Sequence, residues 1–203
     1  MKCFLKNVIR TVMFLLALLL VCTIQQIAAQ RKTTVRPAAA QRTDGLTPES
    51  KAAVDNAVRL LEQKSFGEAE TEARKAVKLS PRSAVAYNIL GIVLDEQSKT
   101  DEALAAFTTS IKLAPSFISP KNNLGRLLAN KGKVAEALTQ FEGVLKIDPA
   151  HIQARYNAAA IYAEKGEYPK AAEYFSALVK AKPDEVQFAV AFLNVAYRAG
   201  RAT

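Results

Sequence analysis

Four prolines, Pro81, Pro115, Pro149 and Pro183, recur every 34 residues. That period limits what the chain can fold into more than any other feature. Within residues 84–117, Tyr87, Leu90, Gly91 and Leu94 form the i, i+3, i+4, i+7 stripe of one helical face. Ala103, Leu104, Phe107 and Ile111 form a second stripe, and the polar stretch 98–101 separates the two. Pro115 closes the unit because proline cannot continue a helix. One period later Leu124, Gly125, Leu128, Ala137, Phe141 and Pro149 repeat the pattern. Another period on, Ala158, Ala159, Tyr162, Ala171, Phe175 and Pro183 repeat it again. A fixed period of this length implies a stack of helix pairs.

Each position has a physical task. A small residue (Gly91, Gly125, Ala159) is needed where two helices cross closely, and Ala103, Ala137 and Ala171 fill the opposite contact. Phe107, Phe141 and Phe175 are expected to wedge between neighbouring pairs. This order of small residue, alanine, phenylalanine and proline resembles the tetratricopeptide repeat (TPR), over roughly residues 49–199. The resemblance implies an all-α, right-handed superhelical solenoid of antiparallel helix pairs; the leader described below makes the expected protein an exported one of bacterial type.

The expected array spans 47–199. Its four repeats cover about 50–83, 84–117, 118–151 and 152–185, and a terminal half-repeat helix covers 185–199. The expected pairs are 49–63 with 66–79, 84–97 with 100–113, 119–131 with 134–147, and 152–165 with 168–181. Thr47-Pro48-Glu49 announces the first helix: an N-cap, a first-turn proline and an acid at the positive end of the dipole. The first pair departs from the pattern, with Ala57 at the small position and Ala73 at the wedge, as a terminal repeat is expected to do. Gly132 and Gly166 end first helices in the left-handed conformation. Pro120 and Pro169 lie in first turns, where proline is harmless.

Ahead of the array, residues 1–29 have a basic start (Lys2, Lys6, Arg10), an apolar run from Val12 to Cys22, and small residues at Ala28 and Ala29. That is the layout of a secretory signal peptide, and it places the protein in the periplasm or outside the cell. The alternative is an uncleaved anchor through residues 8–29 that faces the array away from the cytoplasm, although the apolar run falls short of the ~20 residues of a spanning helix. Lipidation at Cys22 is disfavoured by the bulky Val21 before it. Residues 30–46 lack helical periodicity and read as a flexible tether.

Beyond the leader the chain has no cysteine, and His151 is its one histidine, expected as a solvated turn residue. No thiolate or histidine-rich metal site, phosphate-cradling loop or nucleophile motif emerges, so no enzyme, metal or cofactor is expected. The formal charge of +9 falls by three on loss of the leader. The remaining basic residues mingle with glutamates and form no aromatic-studded strip, which argues against nucleic acid.

The resemblance places a groove along the first helices, where an extended peptide or a partner helix binds. Candidate groove residues are Asn88, Asn122, Asn123, Arg126, Tyr156, Asn157 and Asn194. An asparagine amide both donates and accepts, so it can hold a peptide backbone without reading side chains. Some TPR domains clamp a C-terminal carboxylate with cations. Val54 and Val58 stand where such residues are wanted, and Arg126 is the one groove cation expected.

The expected function is a non-catalytic protein-interaction scaffold. The rival readings are the N-terminal arm of a longer enzyme or secretion or envelope assembly, and an adaptor anchored through 8–29. The 185–199 helix is apolar around most of its circumference, which points to self-association or another cover. Cleavage after Ala29 should remove the first 29 residues, as intact-mass measurement would read. A mature, membrane-bound species that keeps Lys2 and Cys3 would reverse that reading.

Overall fold

The computed structural model describes residues 45–201, so the expected leader and nearly all of the tether lie outside the described residues. Among the described residues there are nine α-helices. The first two pairs are α1 (Pro48–Glu62) with α2 (Phe66–Leu79) and α3 (Ala84–Glu96) with α4 (Thr100–Leu113). The next two are α5 (Ile118–Asn130) with α6 (Val134–Ile147) and α7 (Ile152–Glu164) with α8 (Tyr168–Ala181), followed by α9 (Val186–Arg201). Each first helix lies on its own second helix, each second helix meets the next first helix, and neighbouring first helices touch. The result is the expected all-α solenoid, which exposes a long surface built from one helix of every pair.

Local chemistry sets where the helices start and stop. Thr47 caps α1 by accepting from the Ser50 N–H at 3.1 Å. Ser83 does the same for α3. His151 is not the solvated turn residue expected: it is half-buried, and its Nδ1 accepts from the Ala154 N–H at 3.1 Å to cap α7. Every first helix ends in the same hairpin. The residues at 64, 98, 132 and 166 are all left-handed, with φ between 59° and 77°. The following N–H groups of Ser65, Lys99, Lys133 and Glu167 reach back five residues to a helix carbonyl. The sequence pointed to Gly132 and Gly166, but Lys64 and Ser98 take the same conformation with a side chain attached. Each second helix ends on the residue before a period proline, pushed to φ between −129° and −141°.

Inside each pair the aromatic contact is closer than expected. A Cβ added at Gly91 would stand 2.6 Å from the Phe107 ring, and one at Gly125 would stand 2.8 Å from Phe141. Each phenylalanine therefore lies on the glycine of its own pair, besides joining a core shared with the neighbouring pairs. Phe107, Phe141 and Phe175 are all buried. In the fourth pair Ala159 and Phe175 are buried in one cluster. In the first pair Ala57 and Ala73 meet with no ring at all, and both are fully buried.

Hydroxyls reinforce the first two pairs. Ser50 donates to the Ala76 carbonyl at 2.9 Å, and Ser110 donates to the Ala84 carbonyl at 2.7 Å. These are the same crossing one period apart, with the donor on opposite helices. In the next pair Ile118 and Val144 occupy that crossing, so it becomes apolar. Leu46, assigned by sequence to the tether, is partly buried against the Ala53, Val54, Ala76 and Ala86 cluster.

Glu70 of α2 ties the first pair to the second. It accepts from Arg74 at 2.8 Å, from Lys99 at 2.6 Å and from Gln97 at 2.9 Å. Arg74 also reaches Glu102 at 2.5 Å. The Lys99 ammonium, joined by Arg74 and Gln97 and opposed by partial burial, holds the Glu70 carboxyl at about 2.

Two outcomes follow. Phe141→Ala leaves a cavity on Gly125 and should cost about 3–5 kcal/mol in chemical denaturation. A loss below about 1 kcal/mol would show that the ring is not core. Because the folded pKa of Glu70 is depressed, its ion pairs stabilise the fold above the ordinary carboxylate range and lose that effect as pH falls toward 2. The stability gap between the parent and Glu70→Gln in urea should therefore be widest above about pH 5 and close as the pH falls. A gap that does not change with pH would rule out this role.

Candidate functional site

The first helices α3, α5, α7 and α9 line one surface, and the residues expected there are positioned in different ways. Asn88 of α3 is not an open groove side chain. It is 4% exposed, and its Nδ2 donates to Ser119 Oγ of α5 at 3.3 Å. Arg126 of α5 is exposed and pairs with Asp95 of α3, so the expected groove cation is neutralised. Asn123 of α5 is half-buried. On α7, Asn157 Oδ1 accepts from Gln153 Nε2 at 3.0 Å, and on α9 Asn194 Oδ1 accepts from Arg198 Nε at 3.0 Å.

Asn122 shares a feature with Asn88, one period apart. In each, the carbonyl oxygen Oδ1 is buried and has no hydrogen-bond partner among the described residues. Nearly all buried polar groups in folded proteins are paired, so two orphans at equivalent positions call for an explanation. Both acceptors lie on first helices, at a position that becomes Tyr156 in the next repeat and Val190 in the last.

Toward the C-terminal end the surface turns apolar. The Tyr156 ring stands edge-on to Phe175 at 5.8 Å and tilted to Phe188 at 5.9 Å. Beside it a cavity of about 360 Å³ opens between α7 and α9 over α8, with Ala160, Ala163, Phe175 and Ala191 among its walls. Glu164, Asn194 and Arg198 supply its polar groups. Arg198 lies 5.8 Å from the centre of the Tyr168 ring, so Arg126 is not the one cation on this surface.

Sequence reasoning missed Ser119, Asp95, Phe188 and Arg198. A signal for the first two was present. Asn88 and Ser119 stand 31 residues apart, and so do Asp95 and Arg126. That interval is one period less one helical turn, which brings neighbouring first helices face to face. Among the described residues no cluster of three histidines, cysteines or acids could hold a metal ion, and no helix is long and apolar enough to cross a membrane.

A family model for the tetratricopeptide repeat matches residues 54–116 and 122–186, more than half of the chain. The chain belongs to the tetratricopeptide repeat family. Solved TPR structures share its fold. It is 20% identical to a double mutant of MamA RS-1, with a TM-score of 0.68 over 76% of this chain and 86% of that one. With YrrB, described as a TPR protein with an unusual peptide-binding site, it is 27% identical at a TM-score of 0.61, over 70% of this chain and 73% of the other. A tetratricopeptide repeat protein from Parabacteroides merdae is 18% identical, with a TM-score of 0.69 over 76% and 62% of the two chains. No curated protein compared with the chain matches it. A TPR fold suggests a protein-interaction scaffold.

Proposed function

We propose that this TPR protein is a non-catalytic scaffold, exported from the cytoplasm, that holds an extended polypeptide along its first helices. The observation that carries this reading is the set of first-helix side chains left partly open to solvent, Asn123 on α5 and Tyr156 and Asn157 on α7. A backbone N–H and C=O are what every extended peptide offers, whatever its sequence, and asparagine amides one repeat apart, at 123 and 157, suit a strand laid along the array. The cavity between α7 and α9 adds a seat for one large apolar side chain of the ligand against Ala160, Ala163, Phe175 and Ala191. Support also comes from the similarity to YrrB, described as a TPR protein with an unusual peptide-binding site.

Selection of extended peptides on the full chain should enrich sequences with one apolar or aromatic residue and little pattern elsewhere. Asn122→Leu keeps the side-chain volume and removes the unpartnered carbonyl. It should hold or raise thermal stability, since an unsatisfied buried acceptor costs about 1–3 kcal/mol. Asn123→Ala together with Asn157→Ala should weaken the selected peptides roughly tenfold. Unchanged peptide affinity in that double variant would move the site off α5 and α7.

A further inference from the structure

Helix α9 carries two apolar faces. Phe188 and Val195 are buried inward, with Ala191 and Phe192 against the same cluster. On another side Val186, Val190 and Leu193 are 71%, 59% and 65% exposed, and Tyr197 continues the line at 65%. Steps of four, three and four residues make the straight seam along which two helices join.

The repeat register shows what this seam does not receive. Leu193 stands where Gly91, Gly125 and Ala159 stand in the three preceding repeats. At Gly91 and Gly125 the second helix of the pair lays its phenylalanine ring in the space a side chain would need. At position 193 leucine already fills that seat. A regular second helix, with its phenylalanine, cannot nest there as it does in the internal pairs.

We propose that the seam is covered by α9 of a second copy of the chain, antiparallel across a twofold axis. A pairing centred between Val190 and Leu193 sets each of these two against the other in the second copy, and sets Val186 against Tyr197. The flanks then match themselves. On one side Gln187 meets Asn194 of the second copy, and because Asn194 Oδ1 already accepts from Arg198, its NH2 is turned to the Gln187 carbonyl oxygen. On the other side Ala189 meets Ala196, small enough for a close approach of the two axes.

None of these seam or flank residues is charged. Two identical surfaces therefore meet without like-charge repulsion, as a twofold contact requires. A strongly acidic or basic partner finds nothing on the seam to pair with. The seam exposes on the order of 500 Å² per copy, the size of the largest apolar patch on a monomer, which is often a functional one. Full burial of both copies' seams comes to roughly 1,000 Å², the lower limit of a specific association.

Sedimentation velocity on the full chain should show a dimer. Val190→Glu and Leu193→Lys each put a charge into the seam without touching the solenoid core. Each alone should raise the dissociation constant roughly a hundredfold, with helicity by circular dichroism unchanged. Mixing the two variants should restore dimers, because the antiparallel register sets Glu at 190 of one copy against Lys at 193 of the other. The proposal is overturned by a parent chain that stays monomeric. Variants that associate as the parent does would also overturn it, since they would place the contact elsewhere, in another segment of the chain. So would a mixture that recovers nothing.

Discussion

The nesting of a phenylalanine ring on the glycine of its own pair is the contact on which the array depends. With a Cβ at Gly91 or Gly125 the ring of Phe107 or Phe141 would have nowhere to lie. Moving the ring outward would open the crossing and misplace the next pair, because core packing relaxes only partly around a change of volume. The repeat therefore needs both residues together, the smallest side chain and a large flat one. In the fourth pair alanine takes the small position, and Ala159 and Phe175 are buried in one cluster.

Away from that contact the repeats differ in how they hold together. The first pair has no ring at its crossing and meets there through Ala57 and Ala73, with a hydroxyl-to-carbonyl bond at Ser50 inside the pair and the charged ties of Glu70 to the next. The last first helix, α9, carries leucine at the crossing position and presents apolar residues on the side where the others receive their partner. In a stack of units that touch only their neighbours, such differences stay local and leave the geometry of the other pairs intact. This is why one fold can give its two ends and its groove different chemistry.

The candidate groove follows from the same geometry. A spacing of 31 residues, one period less one turn, sets a residue of one first helix against a residue of the preceding one. It produces both the Asn88–Ser119 hydrogen bond and the Arg126–Asp95 ion pair. The ion pair neutralises Arg126, and both ties join neighbouring first helices. What they leave open is the half-buried Asn123, the exposed Tyr156 ring and a cavity with both apolar and charged walls.

The sequence alone determined the period, the helix pairs, the small-residue and phenylalanine positions, and the family. All of these are local or periodic properties, repeated often enough to be read in phase. It also marked first-helix asparagines as a group, but it could not tell which were free. Whether Asn88 faces solvent or Ser119, and whether Arg126 stands alone or beside Asp95, depends on how one helix is rotated against the next. That rotation is set by core packing between pairs and has no local signature. The left-handed backbone at Lys64 and Ser98 was hidden for a related reason: the hairpin imposes the conformation, and the residue type there does not announce it. Only the tertiary structure decided that Leu193 and Val190 face outward while Phe188 and Val195 face in. α9 is apolar on more than one side, so its sequence did not mark which apolar side packs on α8.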